Sequence, residues 1–540
     1  MTETTEPPGA NMGFRATEHH KRGRAMRSYF ISARLAVLFK LFVIGCVAST
    51  LAAHYYVSPL GSDANSGTSE SDAFATIQAA ADVALNPGDI VTIRAGTYKE
   101  RVKVKGEGER GNEIVFQADG EVIMDGTGMI AMGFVPGDWS GIHETDQSSG
   151  NHWIILDGIT FTNFRHTTGD DNNQVTVNPS TGWTIRNCTF KKVHLATNCR
   201  GHYCTIEDCE FDSLYSHACV AYGGTGLTVR NVSITNGNLN QEEVSYSAVN
   251  KFLHTDSCVV ENITSEGHVG PGWWFDWSNT NFVFRNNVVR NCRGRDDGWN
   301  WEGPGMWIEV NQDANGRIYN NLIEGCTGGG IVIMESQDIE IFNNLVRNCG
   351  SGVELRNCAC YNPDLGEEPR EYIARLNFHD NFFEGWNGAA VVTSIDHNRW
   401  DFNPADKGIV FDNNSYCRPE GAALFSWYDF DGERQEYYTL DEVRGVLGLE
   451  ANGELSCEPG DIIGVEAAHV NRPAHRVASP AVFKVAGDKL SLHRAVQGTS
   501  APSAVYDLCG RRVRTFNQDG SGGVNSQVAR KLYIIRRETQ

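Results

Sequence analysis

Residues 283–289 read VFRNNVV, residues 317–323 read RIYNNLI and residues 340–346 read EIFNNLV. Each copy sets a β-branched or aromatic residue two places before an Asn, follows that Asn with another, and resumes with an apolar pair. Outward from these three, the pattern recurs with Asp, Cys or an apolar residue admitted at the third or fourth place. It reads Ile185-Arg186-Asn187-Cys188, Ile206-Glu207-Asp208-Cys209, Val229-Arg230-Asn231-Val232 and Val260-Glu261-Asn262-Ile263, then Phe378-His379-Asp380-Asn381 and Phe411-Asp412-Asn413-Asn414. Ile155-Leu156-Asp157-Gly158 reads as a degenerate earlier copy. Counted from Gly158, the fourth position advances by 30, 21, 23, 31, 24, 34, 23, 37 and 33 residues. A recurring minimum with variable excess means one structural turn per copy and insertions in some turns, which is the signature of a solenoid.

The residue types say which solenoid. An apolar β-former, a polar pair and another apolar pair give strand, tight turn, strand. Asn suits such a turn because it tolerates left-handed backbone angles and its amide can bond nearby backbone. Stacked turn upon turn, these amides can bond one another and satisfy polar groups that would otherwise be buried bare. Helical periodicity is absent through residues 150–430 and Leu is too sparse for a leucine-rich repeat. The expected fold class is all-β, a right-handed parallel β-helix of ten or more turns.

Of the 540 residues, 40% are hydrophobic, and the net charge is −21. Residues 1–53 hold seven Lys/Arg and three Asp/Glu, and residues 481–540 hold ten and four, leaving 29 basic and 60 acidic residues over 54–480. So acidic a body lacks the basic footprint that nucleic acid requires. It suits a neutral glycan or a bridging calcium ion, the one cofactor candidate. Residues 35–53, LAVLFKLFVIGCVASTLAA, read as a secretory signal cleaved near Ala52 or Ala53. A membrane anchor and lipidation at Cys46 are the competing readings, and Met12 or Met26 are alternative starts. Fourteen Cys would remain after cleavage. Cys188 and Cys209 are expected to stack as small buried side chains in successive turns, whereas bridges are expected at Cys199/Cys204 and Cys358/Cys360.

Residues 54–100 carry YYVSPLGSDANSGT, FATIQAAADVALNPGD and IVTIRAGTY. The middle piece predicts a helix with Ala75, Ile77, Ala80, Ala81 and Ala84 on one face, a cap over the first open edge of the solenoid. This region resembles the N-terminal part of right-handed parallel β-helix proteins related to pectate lyase family 9 and other carbohydrate-active β-helices. That resemblance implies a polysaccharide substrate, and for the lyases a Lys base with calcium held by an Asp cluster. Asp170-Asp171 and Asp296-Asp297 are the comparable doublets, but their spacing does not reproduce the family's, so the calcium site is not carried over and the metal ligands stay unassigned. Residues 451–480 read as a linker after a solenoid spanning 54–450. Residues 481–540 predict a small β-sandwich-like domain. Ala504–Val513 and Leu532–Arg536 resemble the C-terminal sorting domain of type IX secretion cargo, with Lys531 and Leu532 where a Gly is usual. That resemblance implies the secretion machinery as a partner and a secreted or surface-held monomer.

Chemistry is expected on the outer face of one sheet, walled by the insertions. Gly272-Trp273-Trp274-Phe275-Asp276 is followed by Gly305-Met306-Trp307-Ile308-Glu309, then by Gly330-Ile331-Val332-Ile333-Met334-Glu335. Alternation puts Trp274 and Asp276 on one face, with Trp307 and Glu309 above them. The register of Glu335 is open by one residue. Indoles offer flat apolar faces to sugar rings, and neighbouring carboxylates split into an acid and a base. One strand spacing, roughly 4.8 Å, approaches the separation of retaining glycosidases, about 5–5.5 Å. Lys251 or His268 could instead act as the base of a β-elimination, with His254 nearby. Arg295, Trp299 and Trp301 could close over a glycan, and Trp386 and Trp400 could extend the groove. A glycoside hydrolase using Asp276 and Glu309 is the first expectation. A polysaccharide lyase is the second, and a non-catalytic glycan-binding or adhesion protein the third.

Overall fold

The computed structural model describes residues 52–458, apart from 129–132, 138–151, 166–174, 242–247, 297–302, 358–372, 396–402 and 429–432, together with four short strands beyond residue 480. The chain divides into two units, Met1–Val465 and Glu466–Gln540. The first is a right-handed parallel β-helix, the hand favoured for crossovers between parallel strands. Each regular turn carries three strands. In one turn they are Thr184–Arg186, Thr189–Lys191 and Leu195–Cys199. The first two belong to a large continuous sheet that bends at the Asn pair, and the third to a separate sheet of 13 strands among the described residues.

The Asn pattern sets the register. Ile185, Ile206, Val229, Val260, Phe284, Ile318, Ile341, Phe378 and Phe411 are successive Cα partners from turn to turn. The degenerate first copy sits one residue off the expected alignment. Leu156 pairs with Ile185 and Thr160 with Thr189, so Ile159 rather than Gly158 stands opposite Cys188.

The two polar positions of each copy have separate work. The first adopts left-handed angles, with φ 54 at Asn187, 53 at Asp208, 56 at Asn286, 57 at Asn320 and 52 at Asn343; Asn and Asp bear this better than other side chains. The second points inward. Asn287, Asn321, Asn344, Asn381 and Asn414 are buried, and their amides form a ladder. Asn321 Nδ2 donates to Asn344 Oδ1 at 2.9 Å, Asn344 Nδ2 to Asn381 Oδ1 at 2.9 Å, and Asn381 Nδ2 to Asn414 Oδ1 at 2.9 Å. Asn414 Nδ2 donates to Glu450 Oε1 at 2.7 Å, and the Tyr416 hydroxyl donates to the same oxygen at 2.6 Å. Glu450 is fully buried, and burial pushes its carboxyl up to about 7. The solenoid continues past residue 450 to the strand Glu454–Leu455, which pairs with Ser415–Cys417.

In the turns before Asn287, the same inward position holds Cys188 and Cys209, both free and buried. Cys199 and Cys204 are also free buried thiols that face the core, contrary to the bridge expected there. The disulfide in the described chain is Cys417–Cys457, which pins the end of the solenoid. Cys358 and Cys360 lie outside the described residues.

At the start, the strand His54–Val57 pairs with Ile90–Tyr98. The capping helix is a single turn and a half, Ile77–Ala81, with Thr76 as its N-cap accepting from Ala79 N–H. Ile77, Ala80, Ala81 and Ala84 are fully buried, as the spacing predicts, while Ala75 is only half-buried. The apolar stretch 35–51 lies outside the described residues. In the second unit, the strands Val482–Phe483, Ser503–Tyr506, Arg512–Thr515 and Tyr533–Arg537 form one antiparallel sheet.

Candidate active site

Four successive strands of the 13-stranded sheet, Trp273–Asp276, Met306–Glu309, Gly329–Met334 and Ser351–Asn357, build the site, with a glycine just before the first two (Gly272, Gly305) and second in the other two (Gly330, Gly352). These glycines face inward. A Cβ at Gly330 would lie 2.3 Å from Val346 Cγ1 and 2.9 Å from the carbonyl oxygen of Gly352, so the sheets approach too closely there for a side chain. Beyond the glycine the strand alternates. Trp273 and Phe275 fill the core, while Trp274 and Asp276 point outward.

The register places Trp274 opposite Trp307 and Asp276 opposite Glu309, as the sequence predicts. Lys251 stands opposite Trp274 from the preceding turn, so it reaches Asp276 diagonally. Its Nζ lies 2.8 Å from Asp276 Oδ2, and the two side chains are exposed by only 8% and 11%. The Trp307 indole N–H donates to Glu309 Oε2 at 3.1 Å. Glu309 keeps a partial opening to solvent, yet its carboxyl is pushed up to about 8. Burial is the main cause and the charge of Asp276 the next, against smaller lowering by Lys251 and the Trp307 N–H. One carboxyl is therefore neutral at pH 7 beside another that is paired with an ammonium.

Three expectations are corrected. First, Glu335 does not continue the carboxylate column. Met334 stands opposite Glu309 and Arg356 opposite Met334. Glu335 follows at the corner with φ 44, buried, near enough for its charge to act on Glu309. Second, Trp274 and Trp307 do not offer open faces to a sugar. Each is 2% exposed. Lys251 Nζ lies 3.6 Å from the Trp274 ring centroid, and the Arg356 guanidinium 4.9 Å from that of Trp307. With Ala248, Val332 and Met334 they form an apolar cluster on the outer face, a dry setting that strengthens every charge interaction beside it. Third, His268 is not part of the site. It is fully buried, its Nδ1 accepts from Gly237 N–H at 3.0 Å and its Nε2 pairs with Ser265 Oγ at 2.8 Å. Burial pushes its imidazole down to about 3, so it stays neutral.

His254 is exposed one residue beyond Leu253, with its ring 5.4 Å from that of Tyr222. Arg295 is half-buried in the stretch before the Glu309 turn. Trp299, Trp301 and Trp400 lie outside the described residues, as do Asp170, Asp171 and Asp297. Asp296 is exposed and bound by Arg293 at 2.7 Å. Trp386 fills core, donating to the Ala423 carbonyl at 2.9 Å. Among the described residues, no cluster of three or more His, Cys, Asp or Glu is arranged for a metal ion.

Sequence reasoning missed Arg356 and Glu354. Arg356 Nε donates to Glu354 Oε1 at 2.7 Å. The signal was present: Gly352-Val353-Glu354-Leu355-Arg356 repeats the glycine-led spacing of the three turns before it.

Residues 173–310 match the model of the right handed beta helix region family. No curated protein matches the sequence. Among solved structures, the chain is similar to the PL6 family polysaccharide lyase Pedsa3628 from Pseudopedobacter saltans, with 13% identity, TM-score 0.45 and coverage of 72% of this chain and 94% of that one. It is also similar to the GH136 lacto-N-biosidase from Eubacterium ramulus, with 12% identity, TM-score 0.41 and coverage of 69% and 68%. Against the pectate lyase Pel9A the values are 16%, 0.38, 64% and 77%. At such scores the likeness carries no weight for activity, and the fold rests on the strand register: this chain is a right-handed parallel β-helix.

Proposed function

We propose that this β-helix is an exported carbohydrate-active enzyme, and specifically a glycoside hydrolase acting through Asp276 and Glu309. The observation that carries the reading is their pairing as direct partners on adjacent outer-face strands. Their backbones are one strand spacing apart, roughly 4.8 Å, close to the separation used by retaining glycosidases, about 5–5.5 Å. Glu309, protonated near neutrality, gives its proton to the leaving glycosidic oxygen. Asp276, held in place by its ion pair with Lys251, attacks the anomeric carbon and forms a glycosyl ester. Glu309, now a carboxylate, takes a proton from water, and that water displaces Asp276. The ion pair with Asp276 weighs against the lyase alternative, because it holds the Lys251 Nζ against Asp276 and the Trp274 ring, nearly covered, rather than turned toward a substrate. The stretch 35–53 serves in this reading as an export signal.

The test is a screen of the full-length protein on neutral and acidic polysaccharides with two readouts. New reducing ends without absorbance near 235 nm support hydrolysis. Absorbance near 235 nm marks an unsaturated uronate and overturns hydrolysis in favour of elimination. Full activity in both Asp276→Asn and Glu309→Gln would remove these residues from the chemistry.

A further inference from the structure

Resting on the glycan-cleaving reading, we propose that Tyr222, Arg200 and His254 form a sugar-binding subsite two turns N-terminal of the carboxylate pair, for one residue of a glycan lying along the solenoid axis. Tyr222, Leu253, Asp276 and Glu309 are register partners in succession, one outward column along that axis. Tyr222 is therefore two strand spacings from Asp276, about 10 Å, with the half-buried Leu253 between them.

Three features make this end of the column the receptive one. Tyr222 is 39% exposed, whereas the indoles beside the carboxylates are 2% exposed. A phenol ring of that exposure can take the apolar face of a sugar ring and still hydrogen-bond a hydroxyl. The Arg200 guanidinium lies 5.8 Å from the Tyr222 ring centroid, and the His254 ring lies 5.4 Å from it at 70°. Arg200 follows Cys199, whose partner is Ala221, so it projects on the same face as Tyr222. The ring is thus flanked by a fork of N–H donors and by an imidazole that can donate or accept. In the opposite direction the column runs through Met334 to Arg356, which is engaged by Glu354 and by the face of Trp307. A bound glycan therefore gains contacts as it extends toward Tyr222 and few toward Arg356.

Chain length is the variable to read. Cello-, xylo-, manno- and galacturono-oligosaccharides, disaccharide to hexasaccharide, are titrated calorimetrically into full-length Glu309→Gln protein, which holds them uncleaved. In the series that binds, affinity is expected to rise steeply at the member long enough to reach Tyr222. Tyr222→Ala on that background is expected to lose at least tenfold of that rise, and Tyr222→Phe to retain most of it. The same length dependence with and without the tyrosine ring overturns the subsite, as does the absence of binding by every series. Parallel reducing-end assays on protein with native Glu309 separate the two claims. Product formed without any Tyr222 dependence overturns the subsite and leaves the hydrolase. Tyr222-dependent binding with no product from any glycan overturns the hydrolase and leaves the subsite.

Discussion

Lys251 reaches diagonally across adjacent turns to place its ammonium 2.8 Å from Asp276 Oδ2, with both side chains almost wholly covered. Removing one partner of such a pair strands a buried charge, at a cost of about 3–5 kcal/mol. Lys251→Met is expected to lose stability on that scale in urea unfolding. Lys251→Met is also expected to lower kcat, because the contact that holds the Asp276 carboxylate in place is lost. A variant with unchanged stability and unchanged kcat would show that the pair matters to neither.

Glu309 sets the pH dependence of turnover. As a general acid it must carry its proton, and its carboxyl titrates near 8. Turnover is expected to fall as pH rises through about 8. Glu309→Gln should abolish that dependence and lower kcat by about 10²–10⁴, the usual worth of a positioned acid. Rate profiles of both proteins on one glycan provide the check.

Stability should also depend on pH through two buried acids. Glu309 and Glu450 are both raised above the ordinary 4.5, to about 8 and about 7. A raised carboxyl favours folding when protonated. Its contribution is complete below pH 4.5 and is lost as pH climbs through the folded value. For Glu450 the full swing is on the order of 3 kcal/mol. Thermal melts are expected to show a declining midpoint from pH 4.5 to 7, and Glu450→Gln should flatten that decline. A midpoint that rises over this window in the native chain would contradict the assignment.

The two Asn positions of each turn should fail differently when replaced. Asn344 Oδ1 accepts from the backbone N–H and from one side-chain N–H of Asn321, so Asn344→Leu leaves two buried donors unmatched. Each orphaned group costs about 1–3 kcal/mol. Asn343 contributes its φ of 52 and a bond to Asn320 nearer the surface. Asn343→Ala is expected to cost about 1–2 kcal/mol, mostly left-handed strain. Denaturant titrations of both variants test the difference, and equal losses would refute the division of labour.

Most of the fold was legible because the Asn turn ties side-chain type to backbone angle, and an insertion between copies does not disturb it. Trp274 over Trp307 and Asp276 over Glu309 followed from that ruler alone. The ruler slipped where the turn lost its Asn. At Gly158 a residue without a side chain passed for the inward position, and Glu335 passed for a strand residue although the strand ends at Met334. The covered indoles were not legible, because their cations come from other turns: Lys251 lies 23 residues before Trp274, and Arg356 lies 49 after Trp307. Nor was His268, whose burial depends on Ser265 and Gly237 closing around both ring nitrogens.

The side-chain-to-side-chain bonds from Asn321 to Asn414 all run in one direction, each toward the next turn and the last to Glu450, while each amide also donates to a backbone carbonyl of the turn before it. Such an array has a polarity, as a helix does, with its donor end on a carboxylate. Polarity makes the solenoid countable. A turn grafted after Asn414 would need its own inward acceptor, and a chain cut before Glu450 would leave a row of aligned dipoles with nothing to end on. The residue that stops the ladder thereby fixes how many turns this sequence can complete.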